Sequence, residues 1–286
     1  MRPDALSYKE NLSKEKSTMQ KRMIVLLLVA VVASAAVFAQ ATSAGAVNGM
    51  TFNGSTGLIV VPDARVGWEN SKVGVDVGYG FIFTGDEEID HIPRFAVTLF
   101  KKFEVSGAMQ MGKYGGETEM VNFILGGKFQ LYKKSGAALA LGGDIEFANE
   151  DVVGPDSNSA KLFLAATYGG NFFNMPAVTT ATFGWQLFET GELSSQFLYG
   201  MGFSMGLFPS VFKDYVFWIT DFSNFSYVVS GSRINALERG SFNTGIRIHP
   251  VKSGRFNLLI DVVGTDLLDD ENRGIGATVS GGYSFL

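Results

Sequence analysis

From Ser71 onward, apolar residues recur at every second position. In the stretch 71–84, Val73, Val75, Val77, Tyr79, Phe81 and Phe83 alternate with Lys72, Gly74, Asp76, Gly78 and Gly80, and Ile82 is the one apolar residue on the second face. A period of two marks a β-strand whose two faces meet different surroundings. The pattern repeats with Val121, Phe123, Leu125, Phe129 and Leu131, and with Leu139, Leu141, Ile145 and Phe147. It returns in Phe197 to Leu207, in Phe242 to Ile248, and in Ile275, Ala277, Val279, Tyr283 and Phe285. Opposite these residues stand Gly, Ser, Thr and Asn with single charges. A water-facing strand surface would be dense in Lys and Glu, so this second face suits a crowded, wet interior.

The connections alternate in kind. Short, mostly basic or neutral ones fall at Lys101-Lys102, Lys133-Lys134, Asn174-Met175-Pro176, Lys213-Asp214 and Lys252 to Arg255. Longer, mostly acidic ones fall at 85–90, 115–119, 150–158, 189–192 and 269–271, and 230–240 is a mixed-charge member of the same set. Short turns on one side and long loops on the other predict an up-and-down transmembrane barrel. The count gives a closed antiparallel β-barrel of about 12 strands; eight or ten result if weak strands merge. Strands of about nine to twelve residues suit a tilted crossing. Aromatic residues near strand ends, Phe100 and Phe103, Phe172 and Phe173, Phe208 and Phe212, Tyr215 and Trp218, fit an interfacial girdle as well as a buried core.

The N-terminal region reads differently. Lys21 and Arg22 precede an apolar run from Met23 to Ala39, and Ala39-Gln40-Ala41 closes it with small residues. This is the order of a secretory signal peptide. Residues 1–41 are assigned to that region, with translation starting at Met1 or Met19. Residues 42–70 are expected to be a periplasmic segment leading into the barrel, and 71–286 the barrel itself. No later run reaches the 18 apolar residues of a membrane helix. In hydrocarbon every backbone polar group must be paired, which leaves a closed sheet as the way across.

Composition agrees with this reading. Charged residues make up 18% of the 286 and aromatics 13%, with 35 glycines. The formal net charge of −5 gives no reason to expect nucleic acid. With no cysteine, a disulfide framework, a cysteine-held zinc and a thiol nucleophile are all excluded.

The final residues Gly-Gly-Tyr-Ser-Phe-Leu resemble the terminal strand of bacterial outer-membrane proteins, which the barrel-assembly machinery recognises in that family. Tyr283 and Phe285 would carry that signal, although Leu286 rather than Phe stands last. Gly57-Leu58-Ile59-Val60-Val61-Pro62-Asp63 resembles the opening of the OmpW family of small barrels, with the spacing to Pro62 one residue short. That resemblance implies eight strands and an apolar passage for small hydrophobic molecules.

Chemistry is sparse. Gly202-Phe203-Ser204-Met205-Gly206 matches the nucleophile elbow G-x-S-x-G, and Asp221 and His249 follow in an allowed order. The elbow needs a strand-to-helix turn, whereas this motif lies within an alternating strand, so no enzyme is expected. His91 and His249 lack metal-ligand spacing. The acidic run Asp86 to Asp90 lacks the glycine and spacing of a calcium loop. No cofactor and no metal are expected. Lys72, Asp76, Lys128, Asp144, Glu146, Arg247 and Asp261 are the single charges of the second face, placed to line a lumen. They would either set the preference of a pore or pair with one another and fill a closed interior. The expected function is a passive porin-like channel for small solutes in the bacterial outer membrane. A closed barrel acting as a surface adhesin or structural anchor is the alternative. Outer-membrane lipid, the assembly machinery and a small polar or hydrophobic solute are the expected partners.

Overall fold

A computed structural model describes residues 48–84, 88–114, 118–148, 158–188, 194–225, 239–252, 254–269 and 272–285. The signal region 1–41 and most of the acidic loop residues lie outside them. Two short strands come first, β1 (Gly49–Met50) and β2 (Thr56–Gly57), paired antiparallel. Twelve long strands follow: β3 (Val73–Thr84), β4 (Glu88–Leu99), β5 (Phe103–Tyr114), β6 (Thr118–Lys134), β7 (Ala137–Ala148) and β8 (Asn158–Phe172). The set continues with β9 (Met175–Phe188), β10 (Ser194–Gly206), β11 (Val216–Ser223), β12 (Ser241–Lys252), β13 (Phe256–Thr265) and β14 (Gly274–Phe285).

Each long strand pairs antiparallel with the next, and β14 returns to β3, from Gly274 opposite Thr84 to Phe285 opposite Val73. The ring is therefore a closed twelve-stranded barrel with no free edge. This is the strand number that the alternating connections predict, not the eight that the OmpW resemblance implies.

Local chemistry fixes the tight end. The β8–β9 hairpin closes on two residues, Phe173 and Asn174, both left-handed at φ 49° and 62°. Such a turn matches the twist of the flanking strands. Ser135 and Gly136 make the equivalent turn between β6 and β7. The connection after β10 departs from the expected short turn. It spans 207–215 and contains one helical turn, α1 (Pro209–Phe212), with Pro209 at its start.

The alternation resolves into an outward and an inward face. Outward residues are apolar and exposed, with Val77 at 59%, Leu162 at 60% and Trp185 at 53%. Inward residues are polar and buried, with Glu146 at 0% and Arg247 at 1%. A water-soluble protein would reverse this relation. Here the exposed belt faces hydrocarbon, and the ladder satisfies the backbone behind it.

Residues 48–68 occupy the interior. Phe52, Leu58, Ile59, Val60, Val61, Ala64 and Val66 are all almost wholly buried. Phe52, Ile59, Val60 and Val61 form one apolar cluster with inward residues Ile82, Ile92, Ile124, Ile219 and Val263 of the wall. Ala64 joins a second cluster with Ala138, Ala140, Phe163, Ala165, Leu198 and Phe225. This stretch falls in the portion expected to be a periplasmic lead-in, and in the structure it is a plug packed against the barrel's inner wall. A barrel of this strand number is too wide for its own side chains to fill, so a further piece of chain supplies the core.

Candidate functional site: the plugged lumen

The plug has almost no backbone ladder of its own, so its polar groups need partners from the wall. Asp221 on β11 provides the most concentrated set. Its Oδ2 accepts hydrogen bonds from the backbone N–H groups of Ile59 (2.9 Å), Val60 (2.8 Å) and Val61 (3.2 Å). Its Oδ1 accepts from Asn243 Nδ2 at 2.8 Å. Successive N–H groups converging on one oxygen make an anion nest, here filled by a carboxylate of the wall.

Arg247 on β12 does the reverse. Its guanidinium pairs with Asp261 on β13 through two bonds of 2.9 Å, and also donates to the carbonyls of Gly57 (3.3 Å) and Leu58 (3.2 Å). Lys128 on β6 donates to the Thr56 carbonyl at 2.9 Å and pairs with Glu104 at 3.2 Å. Glu104 on β5 accepts from the backbone N–H of Thr56 (2.7 Å) and of Gly67 (3.1 Å), and from the Thr56 hydroxyl. Asp76 on β3 accepts from the indole N–H of Trp68 at 2.7 Å. Arg94 on β4 donates to the Thr51 carbonyl at 2.8 Å and stands 5.8 Å from the Phe52 ring centroid. Gln130, Thr167 and Thr182 bond Ala64 O, Ala64 N and Pro62 O.

Of the seven expected lumen charges, Asp76, Lys128, Asp144, Glu146, Arg247 and Asp261 do point inward. Asp144 and Glu146 bind Lys161, at 3.8 Å and 2.5 Å, and neither has a hydrogen bond to the plug among the described residues. Lys72 is different: it is exposed and precedes the first residue of β3. The alternation was extended one residue beyond the strand that carries it. Sequence reasoning also missed Glu104, Arg94 and Lys161 as inward charges, and Asp221 as a plug partner. The inward isoleucines were the available signal. Ile82, Ile92, Ile124 and Ile219 sit, with Val263, Phe163 and Leu198, among the polar residues of the inner face, and such residues require an apolar partner inside.

The nucleophile-elbow motif does not assemble. Ser204 lies inside β10, two residues before the strand ends, rather than on a strand-to-helix turn. Its Oγ has no hydrogen-bond partner among the described residues, and Asp221 is committed to the plug and Asn243. Of the two histidines, His249 is buried on the inner face, while His91 is outward and bonded to the Tyr79 hydroxyl at 2.5 Å. No group of three metal-ligating side chains occurs among the described residues.

An exposed apolar belt, a closed ladder and a polar interior define a transmembrane β-barrel of the bacterial outer membrane. No family model matches the chain, and no curated protein does. Among solved structures, the KdgM porin aligns at TM-score 0.48 and 7% identity, over 74% of this chain and 99% of that one. The NanC porin aligns at 0.49 and 7%, over 74% and 100%. The translocator domain of autotransporter NalP from Neisseria meningitidis aligns at 0.44 and 9%, over 76% and 89%. None of these three reaches a TM-score of 0.5, and no activity is carried over from them.

Proposed function

We propose that the protein is a gated passive channel for small polar solutes, held shut by its own residues 48–68. The observation that carries this reading is how the plug is held. Side chains from β3, β4, β5, β6, β8, β9, β11 and β12 grip it by noncovalent bonds, and many grip its backbone. A lumen built only as a core would be lined by interlocking apolar side chains. This one keeps a hydrogen-bonding wall, which would line an aqueous path once the plug shifts. Glu104 with Lys128, and Arg247 with Asp261, would remain paired across neighbouring strands and set a balanced charge along that path. The polar wall favours polar solutes over the hydrophobic ones that the OmpW resemblance implies.

The outward belt would contact outer-membrane lipid. Tyr283 and Phe285, both outward on β14 with ring centroids 5.1 Å apart, would offer the assembly machinery its recognition strand.

Planar-bilayer conductance tests the channel reading. The chain has no cysteine, so an engineered pair is chemically unique. A Cβ placed on Gly200 would stand 2.8 and 3.2 Å from the two Cγ atoms of Val61, which suits a disulfide. The Val61→Cys/Gly200→Cys variant should be silent when oxidised and regain wild-type openings when reduced. A variant lacking 48–68 should pass steady, stepwise current. A deletion variant that inserts and resists detergent until heated, yet passes no current, would overturn the channel reading and leave the closed anchor or adhesin.

A further inference from the structure

The rim at the tight-turn end is divided in charge. Lys72 before β3, Lys101 and Lys102 between β4 and β5, and Lys133 and Lys134 at the end of β6 are all exposed. Backbone hydrogen bonds draw these three segments into one patch. The Phe100 N–H donates to the Lys72 carbonyl at 2.6 Å, and the Gln130 N–H donates to the Lys102 carbonyl at 2.8 Å. Lys133 is held by Glu69 at 2.6 Å. Lys72, Lys101, Lys102 and Lys134 have no ion-pair partner among the described residues. The turns from β8 to β9 and from β10 to β11 carry one cation, Lys213, followed at once by Asp214.

Exposed lysines alone would be an ordinary wet surface. These are interleaved with large apolar side chains: Phe100 is 71% exposed, Tyr132 51% and Phe103 46%. Tyr132 stands two residues after the inward Gln130, so strict alternation would turn it inward as well. A register shift between Gln130 and Tyr132 sets it outward instead, opposite Leu139. Phe103 stacks on Phe129 with ring centroids 4.5 Å apart, which continues the patch into the outward belt of β5 and β6. Aromatic rings at the end of such a belt sit where hydrocarbon gives way to headgroups. Lysines beside them lay their stems along apolar surface and carry their ammoniums to the depth of the phosphates.

That depth also selects among lipids. A zwitterionic headgroup brings its own cation to its phosphate. An anionic headgroup leaves the phosphate charge open, and four ammoniums without carboxylates supply what it lacks. A docked acidic protein would meet the charge too. Continuity of the patch with the lipid-facing belt favours lipid.

We infer that the lysine arc from Lys72 to Lys134 is a binding surface for the headgroups of anionic phospholipids in the periplasmic leaflet, the side on which short turns lie. The inference rests on the membrane barrel and not on movement of the plug, so failure of the channel reading leaves it standing.

Native mass spectrometry of the full mature barrel, released from a nonionic detergent, tests it. Phosphatidylglycerol and phosphatidylcholine with the same acyl chains are added in equal amounts. The wild type should retain phosphatidylglycerol about tenfold over phosphatidylcholine. Lys72→Gln/Lys101→Gln/Lys102→Gln/Lys134→Gln should reduce that preference to about twofold or less. Arginine at the same four positions should keep it, and Lys213→Gln should leave it unchanged. The four lysines are exposed, so their replacement does not threaten the fold, and heat-modifiable migration in detergent checks this. Glycerol phosphate in excess should not displace the lipid, because it lacks the acyl chains that the apolar flank holds. Equal retention of the two lipids by a folded wild type overturns the inference, including where the arc captures an acidic protein instead. So does a glutamine variant that keeps its preference, an equal loss in Lys213→Gln, or displacement by glycerol phosphate.

Discussion

The two surfaces of the barrel strands share one backbone and one alternation, yet they impose very different demands. Outward positions ask only for a class of residue. Leu, Phe, Trp and Met replace one another along β8 to β10 because hydrocarbon has no preferred partner. Inward positions ask for particular partners at particular places, such as Asp221 for three consecutive N–H groups and Arg247 for Asp261 with two plug carbonyls. The first surface is held by solvation and the second by recognition.

Substitutions can break that contrast at graded cost. Arg247→Met should be the most damaging, because it leaves the Asp261 carboxylate buried without its cation. The expected loss is about 3–5 kcal/mol, read as a lower denaturant midpoint for the folded barrel. On the other surface, Leu164→Arg puts a charge against lipid and should cost about 2–4 kcal/mol, with Leu164→Ile near neutral in the same assay. Asp221→Asn keeps the side chain's shape but leaves one acceptor oxygen, sets an NH2 donor against either the plug N–H groups or Asn243 Nδ2, and removes the charge that the nest holds. A loss of about 1–3 kcal/mol is expected, with more frequent brief openings in single-channel recordings and an intact barrel by heat-modifiability. Lys72→Ala should change neither stability nor current, since the side chain is exposed before β3 begins. An equal response from Lys72 and Arg247 would mean that charge alone, not partnership, governs the interior.

The same contrast explains what could be read without coordinates. The outward face is legible because a demand for residue class leaves a period, and Val73 to Phe83 or Ile275 to Phe285 display it directly. Strand number followed from the connections for the same reason. The plug was not legible, since residues 48–68 have no period, and a backbone held by side chains from tens to nearly two hundred residues away leaves no local trace. Gly57 to Asp63 looked like the opening of a small barrel because a short apolar run reads alike at a barrel mouth or inside the lumen. Counting in twos puts Asp76, Lys128, Asp144, Glu146, Arg247 and Asp261 on the face that the structure turns inward. The count failed at Lys72, where no strand stood beneath it, and in 207–215, where α1 interrupts the turn. Asp221 was noticed only as a possible triad member, and its actual partners are backbone groups, which no sequence motif advertises.

The position of the plug in the chain has a consequence for how the molecule is built. The plug is made before any barrel strand, yet its partners are spread to the far end of the sequence: Ile59 meets Asp221 across 162 residues, and Gly57 meets Arg247 across 190. The β3–β14 seam joins the first long strand to the last. The plug therefore gains its full set of contacts only after the last strand has arrived, and closing such distant contacts is slow. Until then its apolar side chains need a temporary keeper in the periplasm. The finished plug in turn acts as a proofreading device, since only a ring closed in the right register brings those distant partners to it together.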